Sequence, residues 1–98
     1  MRVRVEILPW LSTSMRPGTT GRIQFDHQLA GSTFRDLLEE LAAQDESFAT
    51  VVYDRDARQL RYPALAVVND RLLEFLQGLD TGLSDGDTVT FMAAYTGG

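Results

Sequence analysis

The amino-acid sequence predicts an α+β domain of two layers, in which one main helix packs against a mixed sheet of four to five strands. Two segments near the N-terminus alternate in polarity, a later segment repeats apolar residues every three or four positions, and two apolar segments follow toward the C-terminus. The 98 residues are enough for one hydrophobic core and too few for two, so we expect a single domain.

The first two strands are expected to form a hairpin. Val3, Val5 and Ile7 alternate with charged residues, which is the period of a half-buried strand. The polar stretch 12–21 is rich in turn-forming residues and predicts a loop at the hairpin tip. Residues 22–26 alternate again and are expected to pair back as the second strand.

The main helix is expected after this hairpin. Ser32 or Thr33 can cap its first turn, and Asp36 suits the positive end of the helix dipole. Glu39 and Glu40 are expected on the solvent side. The opposite, apolar face is formed by residues at helical spacing, which are Phe34, Leu37, Leu38 and Leu41.

Two further features of the first two thirds of the chain have weaker patterns. His27 directly follows the second strand and is expected to be a surface or turn histidine, because no nucleophile or partner pattern surrounds it. Residues around Phe48 favour a short helical turn, and residues 53–58 resemble a charged loop.

The last third of the chain predicts the remaining strands. Residues 64–68 form an apolar run that is typical of an interior strand covered on both sides or nearly so, and residues 72–73 resume as an edge segment. The Ser-Asp-Gly-Asp turn at 84–87 precedes a final strand at 88–93. The first and last strands must be parallel neighbours, because both are apolar on one face and the helix lies between them in sequence. This order predicts a β-grasp (ubiquitin-like) fold over residues 1–93.

The composition excludes several classes of function. One histidine and no cysteine exclude disulfides, thiolate metal sites and multi-histidine centres, so we expect no bound metal. All nine basic residues are arginine, which leaves no lysine nucleophile. The net charge of −5 argues against non-specific binding to nucleic acid or anionic membranes. The sequence shows neither a membrane span nor the apolar core of a signal peptide, so a cytoplasmic location is expected.

The C-terminal residues 94–98 are expected to form a flexible tail after the last strand. Gly97 and Gly98 have no side chains, so they can thread a channel too narrow for other residues. A carboxylate is a poor electrophile and must be activated before a sulfur or amine nucleophile attacks it. An accessible terminal carboxylate on a thin arm therefore suits entry into another protein's nucleotide site.

Three segments of the C-terminal third form a recognisable pattern, namely residues 83–92, LSDGDTVTFM, the terminal YTGG at 95–98 and the turn VVND at 67–70. In these segments the chain resembles the MoaD/ThiS family of ubiquitin-like sulfur carriers. It implies that an E1-like enzyme adenylates the Gly98 carboxylate with ATP and that a sulfur donor converts it to a thiocarboxylate. The sulfur would then pass to an acceptor enzyme, such as the large subunit of a molybdopterin synthase. The chain would itself bind no cofactor and would be a carrier rather than an enzyme.

Residues that contact the activating enzyme are also implied by the resemblance. Leu8, Leu72 and Met92 are expected on the open face of the sheet, at positions that match the family's docking patch, although packing at the edge of the core is an alternative. Tyr95 and Thr96, which lie in the tail, are also expected to contact the partner. Two other functions stay open, namely a protein modifier attached through Gly98 to target lysines and a binding domain with an idle tail.

Overall fold

The computed structural model describes residues 1–18 and 21–94. They form a five-stranded mixed sheet, a separate two-stranded hairpin and three α-helices. The strands are β1 Arg2–Ile7, β2 Ile23–Gln28, β3 Tyr53–Asp54, β4 Gln59–Leu60, β5 Ala64–Val68, β6 Arg71–Leu72 and β7 Thr88–Ala93. The helices are α1 Leu11–Met15, α2 Phe34–Gln44 and α3 Glu46–Val51, and two 3₁₀ segments span Leu73–Phe75 and Gly78–Asp80.

The sheet has the order β2-β1-β7-β5-β6, which is the β-grasp topology. β1 pairs antiparallel with β2 and parallel with β7, so Val5 lies opposite Val89. β7 pairs antiparallel with β5, and the two-residue β6 pairs only with Val67 and Val68. The prediction that the first and last strands are parallel neighbours is confirmed. The covering of β5 was predicted wrongly, because only one of its faces is buried, at Ala66 and Val68.

Helix α2 covers the buried face of the sheet as predicted. Thr33 is its N-cap, since the hydroxyl accepts the N–H of Asp36 at 3.2 Å while the Asp36 carboxylate accepts the N–H groups of Ser32 and Thr33. The four apolar residues of the predicted face are buried. In the core the Phe91 ring lies 5.9 Å from that of Phe34 and 5.3 Å from that of Phe48, in the tilted and edge-on geometries that aromatic pairs prefer.

The predicted loop at 12–21 is wrong in its first half, where α1 forms. Leu11 and Met15 lie one helical turn apart and are both buried, so their burial outweighs the turn preference of the serines between them. Ser12 is also buried, and its hydroxyl donates to the carbonyl of Gly21 at 2.8 Å. The loop is thereby fastened to the start of β2.

Two further expectations for polar residues are wrong. His27 belongs to β2 and is only 5% exposed, with its Nε2 atom 2.8 Å from the Glu40 carboxylate. Tyr53 is buried in the β3–β4 hairpin that replaces part of the predicted charged loop, and its hydroxyl donates to Glu39. Burial and the neighbouring Glu39 raise the pKa of Tyr53 to about 12. Glu39 and Glu40 therefore join α2 to the sheet and the hairpin.

Candidate functional site

The residues predicted to carry the chemistry continue the chain from the end of β7. Tyr95, Thr96, Gly97 and Gly98 lie outside the described residues, which reach Ala94. The site can therefore be described from its base, which we call the tail base and define as residues 93–94 with their neighbours 8–10 and 62–63.

The tail base is held on both sides by the central sheet. β7 lies between β1 and β5. On the β1 side, the N–H of Leu8 donates to the carbonyl of Phe91 at 3.0 Å. On the β5 side, the N–H of Ala94 donates to the carbonyl of Pro63. These bonds fix the direction in which the chain leaves the sheet, because Leu8 directly follows β1 and Pro63 directly precedes β5, the two strands that pair with β7.

Two of the predicted docking residues, Leu72 and Met92, lie on the open face of the sheet. Met92 lies opposite Leu65, and Val67 lies between Thr90 and Leu72 in the register. Leu72 and Met92 are half-buried, and Leu8, also half-buried, is placed on this face by the alternation of β1. Their contact with a partner stays a prediction. Sequence reasoning missed Leu65 and Val67, although the apolar run of β5 was the signal that indicated them.

The same face changes from apolar to charged across β1. Glu6 lies beside Thr90 in the parallel register and accepts a hydrogen bond from Gln24 at 3.0 Å. Arg4 donates to the side-chain oxygen of Gln24 at 3.2 Å and lies 3.6 Å from Glu6. The apolar half of the face, on β5, β6 and β7, is therefore the half that leads to the tail base.

A groove of about 450 Å³ lies along the edge of β5 next to the tail base. It occurs where β6 ends, because β6 covers only the second half of β5. Its lining is mainly apolar and includes Leu60, Ala64, Leu65, Leu72, Leu79 and Ala94. The apolar surface around the tail base thus consists of the apolar half of the open sheet face and the groove along the edge of β5.

The residues that carry the family resemblance hold turns together at the opposite end of the sheet. The Asp87 carboxylate accepts the N–H of Ser84 at 2.8 Å and the side-chain N–H of Asn69 at 3.2 Å. The Asn69 side-chain oxygen accepts the N–H of Thr88 at 3.1 Å. Gly86 has a φ of 90°, which favours glycine. These two turns are thus structural and lie away from the tail base.

The titratable groups of the described residues also have structural roles. Burial raises the pKa of Glu40, but hydrogen bonds from the N–H groups of Gly31 and Ala30 and from His27 outweigh it, so the pKa lies below its ordinary value. Within residues 1–18 and 21–94, no group of three or more histidine, aspartate or glutamate side chains is arranged to hold a metal ion. In the same residues no helix is long and apolar enough to cross a membrane.

Comparison with known proteins agrees with this geometry. The sequence matches the model of the ThiS family over residues 22–98, a match that includes the terminal glycines. The chain belongs to the ThiS family. This places it among the ThiS/MoaD-like sulfur carriers. No curated protein matches the sequence at a significant level.

Solved structures of low sequence identity share the fold of this ThiS-family chain. Small archaeal modifier protein 1 from Methanosarcina acetivorans has a TM-score of 0.72 and 20% identity, over 99% of this chain and 96% of that chain. A chain of the Amycolatopsis orientalis BexX/CysO complex has a TM-score of 0.65 and 20% identity, over 96% of this chain and 99% of that chain. A putative molybdopterin converting factor subunit 1 from Pyrococcus furiosus has a TM-score of 0.64 and 22% identity, over 97% of this chain and 99% of that chain.

Proposed function

We propose that this chain is a sulfur carrier whose Gly98 carboxylate is adenylated by an E1-like enzyme and then converted to a thiocarboxylate. The thiocarboxylate donates its sulfur in the biosynthesis of a cofactor or metabolite, in the manner of the small subunit of a molybdopterin synthase. The chain acts as a carrier and not as an enzyme. ATP is used by the activating partner, and we place the reaction in the cytoplasm.

The observation that carries this proposal is the family match that runs through to Gly98. The described structure supports it at the tail base, where hydrogen bonds to both neighbouring strands hold the end of β7. From Ala94, the four residues 95–98 span at most about 14 Å when extended. That reach is enough for the carboxylate to enter a site in a partner that docks against the sheet, with Gly97 and Gly98 as the narrow part.

The chemistry requires two steps at the carboxyl group of Gly98. The Gly98 carboxylate oxygen attacks the α-phosphorus of ATP, which releases pyrophosphate and leaves an acyl-adenylate. A sulfur nucleophile from the donor then forms a C–S bond as the C–O bond to AMP breaks. None of the described side chains of this chain is asked to act as acid, base or nucleophile, which accords with their structural roles.

The partner surface that we propose is the apolar half of the open sheet face together with Leu8, which directly follows β1. Leu8, Leu72 and Met92 contact the activating enzyme, and Tyr95 and Thr96 are bound together with the tail. Half-buried apolar side chains beside polar ones are the usual composition of such an interface. A chain of the same fold assembles in the BexX/CysO complex, which is a precedent for a two-protein arrangement.

Intact mass spectrometry tests the proposal. The purified chain is incubated with ATP, the E1-like enzyme encoded in the same genome and a sulfide source. The expected result is a mass increase equal to the difference between one sulfur and one oxygen atom. The matched control is a variant without Gly98, in which Gly97 carries the terminal carboxylate, and we expect it to gain no mass. An unchanged mass of the full chain while the enzyme is active on another carrier contradicts the proposal.

A modifier function is the second candidate, because small archaeal modifier protein 1 has the same fold. The two functions share the adenylated carboxylate and differ in the nucleophile, which for a modifier is a target lysine amine. Incubation in a cell extract with ATP distinguishes them, since a modifier yields conjugates of higher mass on a gel. Because this protein has no lysine, one copy cannot be linked to a lysine of another. Each modified lysine of a target would therefore carry a single copy and not a polymer.

A further inference from the structure

Large apolar side chains are exposed at a few places in the described structure. They are Met1, Trp10, Phe25, Tyr62 and Phe75. Two of these aromatic residues belong to the tail base, where Trp10 is 49% exposed and Tyr62 is 90% exposed. Aromatic side chains contribute large amounts of apolar surface when buried, so two of them beside a proposed reactive terminus need an explanation.

The backbone places these two residues on opposite sides of the departing chain. Trp10 lies two residues after Leu8, whose N–H bonds to the β7 carbonyl of Phe91. Tyr62 directly precedes Pro63, whose carbonyl accepts the N–H of Ala94. Because β7 lies between β1 and β5, Trp10 and Tyr62 flank the point from which residues 95–98 continue.

Trp10 is held in its position at an energetic cost. Its φ of 88° lies in the left-handed region, which is unfavourable for a residue with a side chain. Its carbonyl accepts bonds from the N–H and the hydroxyl of Ser14, so the backbone starts α1. Neither bond uses the indole ring. The fold therefore explains the turn at position 10 and does not explain an aromatic side chain there.

The length of the tail limits where a partner can lie. Four extended residues reach about 14 Å from Ala94, and the carboxylate at their end must enter an enclosed site. A protein that receives it must come into contact with the surface around the tail base. At least one of Trp10 and Tyr62 is then covered whichever way the partner is rotated about the tail, because one lies on each side, and a partner that surrounds the tail covers both.

We infer that Trp10 and Tyr62 are a pair of aromatic anchors for the protein that takes up the tail, each filling an apolar pocket on that protein. This inference rests on the proposed function and adds a second contact to the open sheet face. Exposed aromatic residues that become fully desolvated on binding dominate the energy of many interfaces. The anchors bind the activating enzyme equally before and after the reaction, so they affect the affinity of the carrier and not the chemical step.

Tyr62→Ser tests the pair, with Phe75→Ser as the matched control. Phe75 is 77% exposed but lies in the 3₁₀ segment that follows β6, the edge strand that β5 separates from β7. The assay is ATP–pyrophosphate exchange by the E1-like enzyme of the same genome, at varied carrier concentration. We expect the KM for the Tyr62→Ser carrier to rise about tenfold with kcat unchanged, and the Phe75→Ser carrier to stay within about twofold of wild type.

The tryptophan provides a direct readout of the second anchor. Trp10 is the single tryptophan of the sequence, so a chain labelled with 5-fluorotryptophan gives one ¹⁹F resonance. We expect this resonance to shift and broaden when the E1-like enzyme is added. An unchanged ¹⁹F resonance in the complex overturns the anchor role of Trp10, and a Tyr62→Ser KM equal to that of wild type or of Phe75→Ser overturns that of Tyr62.

The inference and the proposed function fail in different ways. If the chain is not a substrate for adenylation, the wild-type protein supports no exchange of pyrophosphate. If only the anchors are wrong, wild type supports exchange and both variants match it. Thermal unfolding of Tyr62→Ser serves as the folding check, and its midpoint is expected to equal that of wild type because the side chain is almost fully exposed.

Discussion

The two ends of β1 and β7 differ in their side chains. At the start of these strands, carboxylates accept hydrogen bonds from the backbone of the surrounding turns. At their end, the large side chains are aromatic and exposed. We call the first region the turn end, residues 28–33, 69–70 and 84–87, and compare it with the tail base. At the turn end the Asp85 carboxylate accepts the N–H of Arg2 at 2.7 Å, and Glu40 accepts those of Ala30 and Gly31. At the tail base the bonds given above join backbone to backbone.

The difference teaches how one small sheet serves two purposes. Side-chain oxygens that satisfy backbone N–H groups specify turn geometry, because few other conformations pair the same donors. The turn end is therefore built for a unique fold. The tail base leaves its large side chains without such bonds among the described residues, and its exposed apolar area is available to another protein.

Loss of Glu40 should give the largest effect. We expect Glu40→Ala to lower the free energy of unfolding by about 3 kcal/mol, because it leaves the buried His27 and two backbone N–H groups without their acceptor. Urea unfolding measures this change. Glu74→Ala, at an exposed carboxylate of the same chemistry, is the control and should stay within about 0.5 kcal/mol of wild type. Equal stability of the two variants contradicts the special status of the turn end.

Asp87 tests the joint between the two turns of the family resemblance. Asp87→Ala removes the acceptor for Ser84 and Asn69, so we expect a loss of about 2 kcal/mol, with a fall in Tm of about 10 °C. Differential scanning calorimetry measures it. Asp70→Ala is the control, at an exposed residue of the adjoining turn, and should leave Tm nearly unchanged. If Asp87→Ala is as stable as Asp70→Ala, the hydrogen bonds of Asp87 are not needed for the stability of the fold.

The smallest expected effect is a change in pH dependence. Hydrogen bonds from the N–H groups of Ser32 and Thr33 hold the pKa of Asp36 below its ordinary 3.8. The charged form is therefore favoured in the folded state, and its stabilisation is present above pH 3.8 and lost as the pH falls through the folded-state pKa. Urea midpoints measured from pH 6 down to pH 3 should fall less steeply for Asp36→Asn than for wild type. Identical slopes would remove Asp36 from the acid response.

Much of the sheet and its helix could be predicted because the buried face repeats in the sequence. The alternation in β1, the apolar face of α2 and the tight turn at Gly86 were all read correctly. The same rule places His27 inside, since Ile23, Phe25 and His27 alternate, whereas the sequence prediction ends the second strand at residue 26 and leaves His27 in the following turn. Burial of His27 depends on Glu40, 13 residues away, and a local pattern does not show such a partner.

Helix α1 and the groove beside β5 illustrate what local patterns miss. α1 is short, and its serines favour turns, so only the tertiary burial of Leu11 and Met15 makes it helical. The groove exists because β6 has two residues and leaves half of β5 without a neighbour. The terminal glycines are conspicuous in the sequence, whereas no local pattern relates Trp10 to Tyr62. The two residues are 52 positions apart, and only the topology brings them to the same end of the sheet.

The last strand in sequence is the middle strand in space. Until residues 88–93 have left the ribosome, the main sheet has only its two outer pairs, β1–β2 and β5–β6, and no strand that joins them. Closure of the sheet therefore waits for the synthesis of β7, since the long-range pairing of β1 with β7 comes last. The residues that follow β7 therefore extend from a finished sheet only after β7 has paired with both β1 and β5, so assembly of the sheet and presentation of the tail are coupled in time.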